Sequence, residues 1–280
     1  MRPDTLGVIG LGAIGGSVAW QAARNGVRRI LGFSPQPKEA VAAVRAGAIT
    51  EAAPSARFVA DHADLVVIAA PPVATLRLID RLAPRLRAGS VWCTDVASVK
   101  QPVTKVASDL GLQRFAGSHP FAGTHLSGFA AAVPDRFRDV LVYVTPIGDD
   151  DTAAREIAHF WSSVLEAAPV IAGAAEHDEL AAWTSHHPQA VASALATAIA
   201  EAGPRGVTYG SGARDTTRLA ASNIEMWRDV LLLNRSAVLR TLDRYEETLG
   251  ALRRALACGS PDDLAAWLRA GARWRRRLGK

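Results

Sequence analysis

Three glycines, Gly10, Gly12 and Gly15, form a GxGxxG turn immediately after a short apolar run and at the start of a helical pattern. That context suits a dinucleotide. Gly10 permits the tight turn, Gly12 lets the backbone approach a pyrophosphate, and Gly15 lets helix and strand pack closely, with the helix N-terminus facing the negative charge. Ala13 and Ile14 lie within the same turn and join it as cofactor-binding candidates. The second strand of such a unit usually ends in an acid that binds ribose hydroxyls and repels a 2′-phosphate. Here Ser34 stands in that place and Lys38 is the nearest basic residue, so NAD and NADP both stay open. The AAPP segment holding Ala70 and Pro71 follows another apolar run and makes a rigid turn at the carboxyl edge where open α/β sheets bind ligands.

A second set of residues could move protons or hold acids. His119 in GSHPFAG is a candidate general acid or base near neutral pH. Ser98 and Lys100 in TDVASVK offer a hydrogen-bond donor and a fixed charge to orient it or to bind an acid group. Both segments are expected to follow strands and to line one crevice. Further along, TSHHPQ gathers His186, His187 and Gln189, with Pro188 set to kink the helix that carries them. Adjacent histidines cannot face the same way, so no metal site is expected. GARDTTR places Arg214 and Arg218 on one helical face, with Asp215 three residues before Arg218. That arrangement fits surface salt bridges, and equally a guanidinium clamp for carboxylates.

Short apolar runs at 6–9, 30–33, 65–70 and 91–94 alternate with helix-length segments, the rhythm of a parallel sheet covered by helices on both faces. Two more strands are expected at 140–145 and 169–171 around a helix over 151–165. The sheet should then end near residue 172. Beyond it the chain reads as Ala- and Leu-rich helices over 176–199 and 215–256, separated by the glycine-rich loop GPRGVTYGSG. The expected fold is α/β: a Rossmann-type, doubly wound parallel sheet over residues 1–172, then an all-helical domain over 173–280.

With 280 residues, 49% hydrophobic and 21% charged, the chain has the balance of a globular protein and not of a disordered one. Its net charge of +5 is local. Arg269, Arg273, Arg275, Arg276, Arg277 and Lys280 crowd residues 269–280 without an acid, which leaves the remainder at −1. A solvated helix end explains this better than a nucleic-acid footprint, which requires a basic face on the folded body. No apolar stretch is long enough to span a bilayer. Cys93 and Cys258 are far apart and make neither a disulfide framework nor a metal motif, so a cytoplasmic protein is expected.

Five segments in series, GLGAIGGSVA, TDVASVK, GSHPFAGTHLSG, HDELAAWTSHHPQAVASALA and GARDTTRLAASNIEMWRDVLLLNR, resemble the prephenate and arogenate dehydrogenase family of tyrosine biosynthesis over nearly the whole chain. The resemblance implies a Rossmann domain followed by a helical domain that makes a homodimer. It also implies oxidation of a cyclohexadienol by NAD or NADP with loss of carbon dioxide. On the same basis, His119 is the base that takes the ring-hydroxyl proton while hydride leaves the same carbon, and Ser98 bonds His119 or that hydroxyl. Lys100 supports this corner, Arg218 holds a substrate carboxylate with Asp215 orienting it, and His186 and Gln189 line the pocket. Trp227 lies at the subunit boundary in the family and is implied to reach toward the partner's site. His125 stands where many members carry an acid, which favours prephenate over arogenate, with a 4-amino analogue as a further alternative. Gln189 replaces the second histidine of the more frequent SHLPH and can still donate a hydrogen bond. No regulatory domain is expected after the helical half, so tyrosine inhibition would act at the active site.

Two other readings compete. A Rossmann-plus-helical reductase or hydroxyacid dehydrogenase would share only the architecture, and would be expected to carry a helical lysine that TSHHPQ lacks. A nucleotide-sensing or nucleic-acid-binding protein would use the basic tail as its anchor, with salt-dependent binding.

Overall fold

The computed structural model describes residues 1–123, 126–204 and 206–278. Strands and helices alternate through β1 (Thr5–Ile9), α1 (Ala13–Arg24), β2 (Arg29–Phe33), α2 (Pro37–Arg45), β3 (Glu51–Ala52), α3 (Ala56–His62), β4 (Leu65–Ile68), α4 (Pro72–Ala88), β5 (Trp92–Asp95), α5 (Gln101–Asp109) and β6 (Phe115–Pro120). After a 3-10 turn at Phe129–Ala131 come β7 (Leu141–Thr145), α6 (Thr152–Ser163) and β8 (Ala168–Ile171). These strands form one sheet in the order β3-β2-β1-β4-β5-β6-β7-β8.

β1 and β4 are buried along nearly their whole length, as strands covered on both faces must be. Their side chains alternate between two cores. Leu6, Val8, Leu65 and Val67 pack with Val18, Phe160 and Trp161, whereas Ile9, Val66 and Ile68 pack with Ile79, Leu82 and Phe115. β1 pairs with β2 on one side and β4 on the other. The crossovers diverge from that point, opening a crevice beyond the carboxyl ends of the strands.

The sheet is mixed, not wholly parallel as the apolar rhythm suggested. β7 runs antiparallel to β6, and β8 lies parallel to β7. The connection explains it: a parallel return needs a crossover such as a helix, and among the described residues the β6 to β7 link holds only the 3-10 turn.

The helical half comprises α7 (Ala174–Ala181), a π-helical turn (Ala182–His186), α8 (His187–Ala202), α9 (Ser211–Thr217), a 3-10 turn (Arg218–Ala221), α10 (Ile224–Leu233), α11 (Arg235–Ala257) and α12 (Pro261–Arg277). Pro188 opens α8 with no amide to donate to the preceding turn, and the helix widens there instead of breaking. Much of this half's apolar surface is uncovered. Ile224 is 82% exposed, and Leu195, Leu232, Leu239, Leu256 and Trp274 are exposed as well. The chain's accessible surface is 15168 Å², about 3,600 Å² above the roughly 11,600 Å² of a compact monomer of this mass. Among the described residues, no helix is long and apolar enough to cross a membrane.

Candidate active site

Gly10 follows β1 with a φ of 99°, a left-handed backbone that glycine adopts without strain, and its amide donates to the Phe33 carbonyl at 2.7 Å. A Cβ at Gly10 would sit 2.1 Å from the Ala69 carbonyl oxygen, and one at Gly15 would sit 1.9 Å from that of Gly10. These two glycines close-pack the turn against the end of β4. Gly12 differs, because a Cβ there would meet nothing within 4 Å. It heads α1, which has no side-chain cap, so the amides of Ala13, Ile14 and Gly15 have no intrahelical acceptors. A pyrophosphate suits this place: among the described residues nothing lies within 4 Å of a Cβ at Gly12, and the uncapped amides and helix dipole favour its charge. Ala70 and Pro71 flank the same edge, where Pro71 precedes α4 and Thr75 Oγ1 donates to the Ala70 carbonyl at 2.9 Å. Ser34, just past β2, is buried and donates its hydroxyl to Glu39 Oε2 at 2.6 Å. Glu39 belongs to the first turn of α2, so a carboxylate does stand at the end of β2, supplied from five residues downstream.

β6 runs parallel to β5 and carries His119 one residue before its end, at the same sheet edge. His119 Nδ1 lies 2.8 Å from His177 Nε2, and its ring packs against Phe121 at 4.8 Å. Burial holds the His119 pKa well below the ordinary histidine value, and the positive charge of Lys100 lowers it further. The imidazole is therefore neutral at neutral pH and able to accept a proton. Lys100 is fully buried; its Nζ lies 2.5 Å from Asp95 Oδ2 and donates to the Ser118 carbonyl at 2.7 Å. Asp95 also accepts the amides of Ala97 and Ser118, at 2.7 and 3.3 Å. Burial pushes the Asp95 carboxyl up and the Lys100 ammonium down, each opposed by the other's charge. The pair ties β5, the TDVASVK turn and β6 into one unit.

On the helical side, Asn234 Nδ2 donates to the Asp178 carbonyl at 2.8 Å and to His186 Nδ1 at 3.0 Å, which leaves the His186 proton on Nε2. That nitrogen is buried and directed toward the Ser98 carbonyl. Burial pushes the His186 pKa down to about 4, with Asp178 opposing. Trp227 stands edge-on to His186, ring centres 6.1 Å apart. His187 turns the other way, against Trp183 and Tyr245. Gln189 is buried and donates to the Leu219 carbonyl at 2.8 Å, its own Oε1 without a partner among the described residues. It thereby holds the 3-10 turn that Arg218 opens. Arg218 and Asp215 are both exposed.

Residues 18–168 match the nucleotide-binding domain of prephenate dehydrogenase, and residues 173–270 match its dimerization domain. The chain belongs to the prephenate dehydrogenase family. Prephenate dehydrogenase of Bacillus subtilis (strain 168) is 34% identical over 257 residues, which cover 89% of this chain and 69% of that protein. Among solved structures, prephenate dehydrogenase from A. aeolicus in complex with hydroxyphenyl propionate and NAD+ superposes with a TM-score of 0.88 at 28% identity, covering 98% of each chain. Synechocystis arogenate dehydrogenase gives a TM-score of 0.81 at 28% identity, covering 98% of this chain and 99% of that one. The Rossmann-type sheet followed by helices is the architecture expected of this family.

In this prephenate dehydrogenase relative, several residues sit differently from their expected places. His119 lies inside a strand and not in a loop after one, opposite Tyr143 of β7. Lys100 cannot reach a substrate, because its ammonium is wholly enclosed by Asp95 and Ser118. It fixes the turn that bears Ser98 instead. Ser98 is half-buried on that turn, and among the described residues it makes no hydrogen bond to His119, whose Nδ1 is engaged by His177. Asp215 does not orient Arg218, and neither enters an ion pair among the described residues, so the surface salt bridge is absent too. His125 lies outside the described residues. Sequence reasoning passed over Glu39, Asp95, His177, Asp178 and Asn234. The one visible signal was an adjacent His-Asp pair inside an otherwise Ala- and Leu-rich helix.

Proposed function

We propose that this chain is a prephenate dehydrogenase, which oxidises prephenate at its ring-hydroxyl carbon with loss of carbon dioxide and yields 4-hydroxyphenylpyruvate. The observation that carries the proposal is the placement of His119: an imidazole with its Nδ1 engaged by His177, at the sheet edge that also bears the open glycine turn. NAD(P)+, held by Gly10, Gly12, Ala13, Ile14, Gly15, Ala70 and Pro71, supplies the hydride acceptor. His119 takes the hydroxyl proton and Ser98 bonds the same hydroxyl, which keeps the reacting groups in line. Arg218, exposed and in no ion pair among the described residues, forks onto a substrate carboxylate. Gln189 positions its turn through Leu219, and the His186 Nε2–H and the Trp227 edge line the pocket. Aromatisation drives the loss of carbon dioxide, so no further acid is required.

Ser34 and Glu39 place a negative charge where a 2′-phosphate would lie, which favours NAD over NADP. The exposed apolar side chains of the helical half and the surplus accessible surface support a homodimer built through residues 173–280, with the domain boundary at 172/173. Two unpaired cysteines are in keeping with the cytoplasm. The test is to mix the purified protein with prephenate or arogenate, each with NAD or NADP, and follow reduced nicotinamide together with the aromatic product. Turnover fastest with prephenate and NAD is expected. Turnover with arogenate alone reassigns the substrate, and silence in all four mixtures, with cofactor binding shown separately, removes the proposed activity.

A further inference from the structure

We propose that Asp178 and His177 are positioning residues that fix the tautomer of His119, holding its proton on Nδ1 and leaving Nε2 bare to receive the substrate proton. The proposal rests on the reading of His119 as the base. Both oxygens of Asp178 accept from the start of α5: Oδ1 from the Lys100 amide at 2.7 Å and Oδ2 from the Gln101 amide at 2.9 Å. The carboxylate caps that helix in trans, where the helix dipole favours negative charge. With its oxygens occupied as acceptors, Asp178 presents only an acceptor to its neighbour. His177 Nδ1 lies 2.8 Å from Asp178 Oδ1 and so carries the donated proton.

With its proton on Nδ1, His177 presents a bare Nε2, and the 2.8 Å contact to His119 Nδ1 requires His119 to be the donor. The proton of a neutral His119 is thereby assigned to Nδ1. A doubly protonated His177 would reverse the last bond and place the His119 proton on Nε2, the wrong nitrogen for a base. That form would bury a cation at His177, which is fully enclosed and faces an Asp178 carboxylate already committed to the two α5 amides. Aromatic walls hold the rings in register. Tyr143 packs edge-on against His177 at 5.5 Å, and Phe121 touches both Tyr143 and His119. One chain of hydrogen bonds thus runs from the α5 cap in the first half, through α7 in the second, to the base on β6.

The direct test is long-range proton–nitrogen NMR on uniformly 15N-labelled wild-type protein at neutral pH, which reads which ring nitrogen carries each proton. Histidine resonances are assigned by comparison with His119→Asn and His177→Gln. Both protons on Nδ1 are expected. A proton on His119 Nε2, or a doubly protonated His177, overturns the proposal, and this readout does not depend on which substrate is turned over. A kinetic test follows with whichever substrate is active. His177→Leu should lose roughly 10- to 100-fold in kcat with KM little changed, a part of what a general base contributes. His177→Gln, whose side-chain oxygen can accept near the former Nε2 position, should recover most of that loss. Equal losses in both variants, or a loss confined to KM, also overturn it.

Discussion

Replacing Gly12 and Gly15 by alanine separates cofactor contact from packing within a single turn. At Gly12 the backbone is extended (φ −75°, ψ −163°) and an added methyl meets nothing within 4 Å. Gly12→Ala should therefore leave the cofactor-free fold intact, or stabilise it by about 0.4–1 kcal/mol by restricting the unfolded chain. At Gly15 the methyl would lie 1.9 Å from the Gly10 carbonyl oxygen and 2.7 Å from the Ala69 Cβ. Such overlap cannot be relieved by a rotamer, and forced packing of this kind costs about 1–3 kcal/mol or more. At roughly 2–4 °C per kcal/mol for a chain of this size, melting of the apo protein should stay level or rise for Gly12→Ala and fall by several degrees for Gly15→Ala. Cofactor affinity should fall in both. For Gly12→Ala, losing one charge-assisted hydrogen bond to the pyrophosphate, about 1.5–3 kcal/mol, weakens NAD roughly 10- to 150-fold. Thermal melts without ligand and a fluorescence titration with NAD measure the two effects separately. A Gly12→Ala protein that binds NAD as tightly as wild type refutes the placement of the pyrophosphate. One that melts as low as Gly15→Ala refutes the claim that the space before Gly12 is open.

Lys100→Met leaves Asp95 buried without its partner and should cost about 3–5 kcal/mol in urea unfolding, whereas a loss near zero means the ammonium is not enclosed as described. Glu39→Gln removes the carboxylate beside Ser34 and should raise the affinity for 2′-phospho-AMP relative to AMP by roughly tenfold, the worth of one screened charge. An unchanged ratio takes Glu39 out of the ribose site. His186 is buried neutral with its pKa depressed to about 4. Its contribution to stability is therefore present above pH 6.5 and is lost as pH falls from there through 4, about 3 kcal/mol in all. Urea unfolding of wild type and His186→Asn across that window should show the steeper fall in wild type, and parallel curves would contradict the burial of a neutral ring.

The glycine turn and the first strands were legible in the sequence because their determinants are local. A glycine spacing and four buried aliphatic runs declare themselves within a dozen residues. β3 escaped notice because two residues carry no period. β6 was misplaced because Gly117 and Pro120 look like breakers. In the structure Pro120 is the last residue of the strand, where a missing amide is tolerated. The roles of Lys100 and His177 were not legible for a different reason. Whether a lysine five residues past an aspartate turns inward depends on β6 arriving beside it, and the His177 contact to His119 spans 58 positions of chain. Arg218 and Asp215 show the opposite failure, since a helical spacing of three permits an ion pair without producing one.

The π-helical turn at Ala182–His186 changes the angular bookkeeping of everything after it. Each residue of an α-helix turns the chain by about 100°, so one surplus residue within a turn shifts the phase of α8 against α7 by that amount. That offset sets His186 toward Asn234 and Trp227 while His187 faces Tyr245, and it aims Gln189 at Leu219. Length in this stretch is therefore as constrained as residue identity. Deleting a single alanine between α7 and the histidines would preserve every side chain named here and still rotate Gln189 away from the turn that carries Arg218.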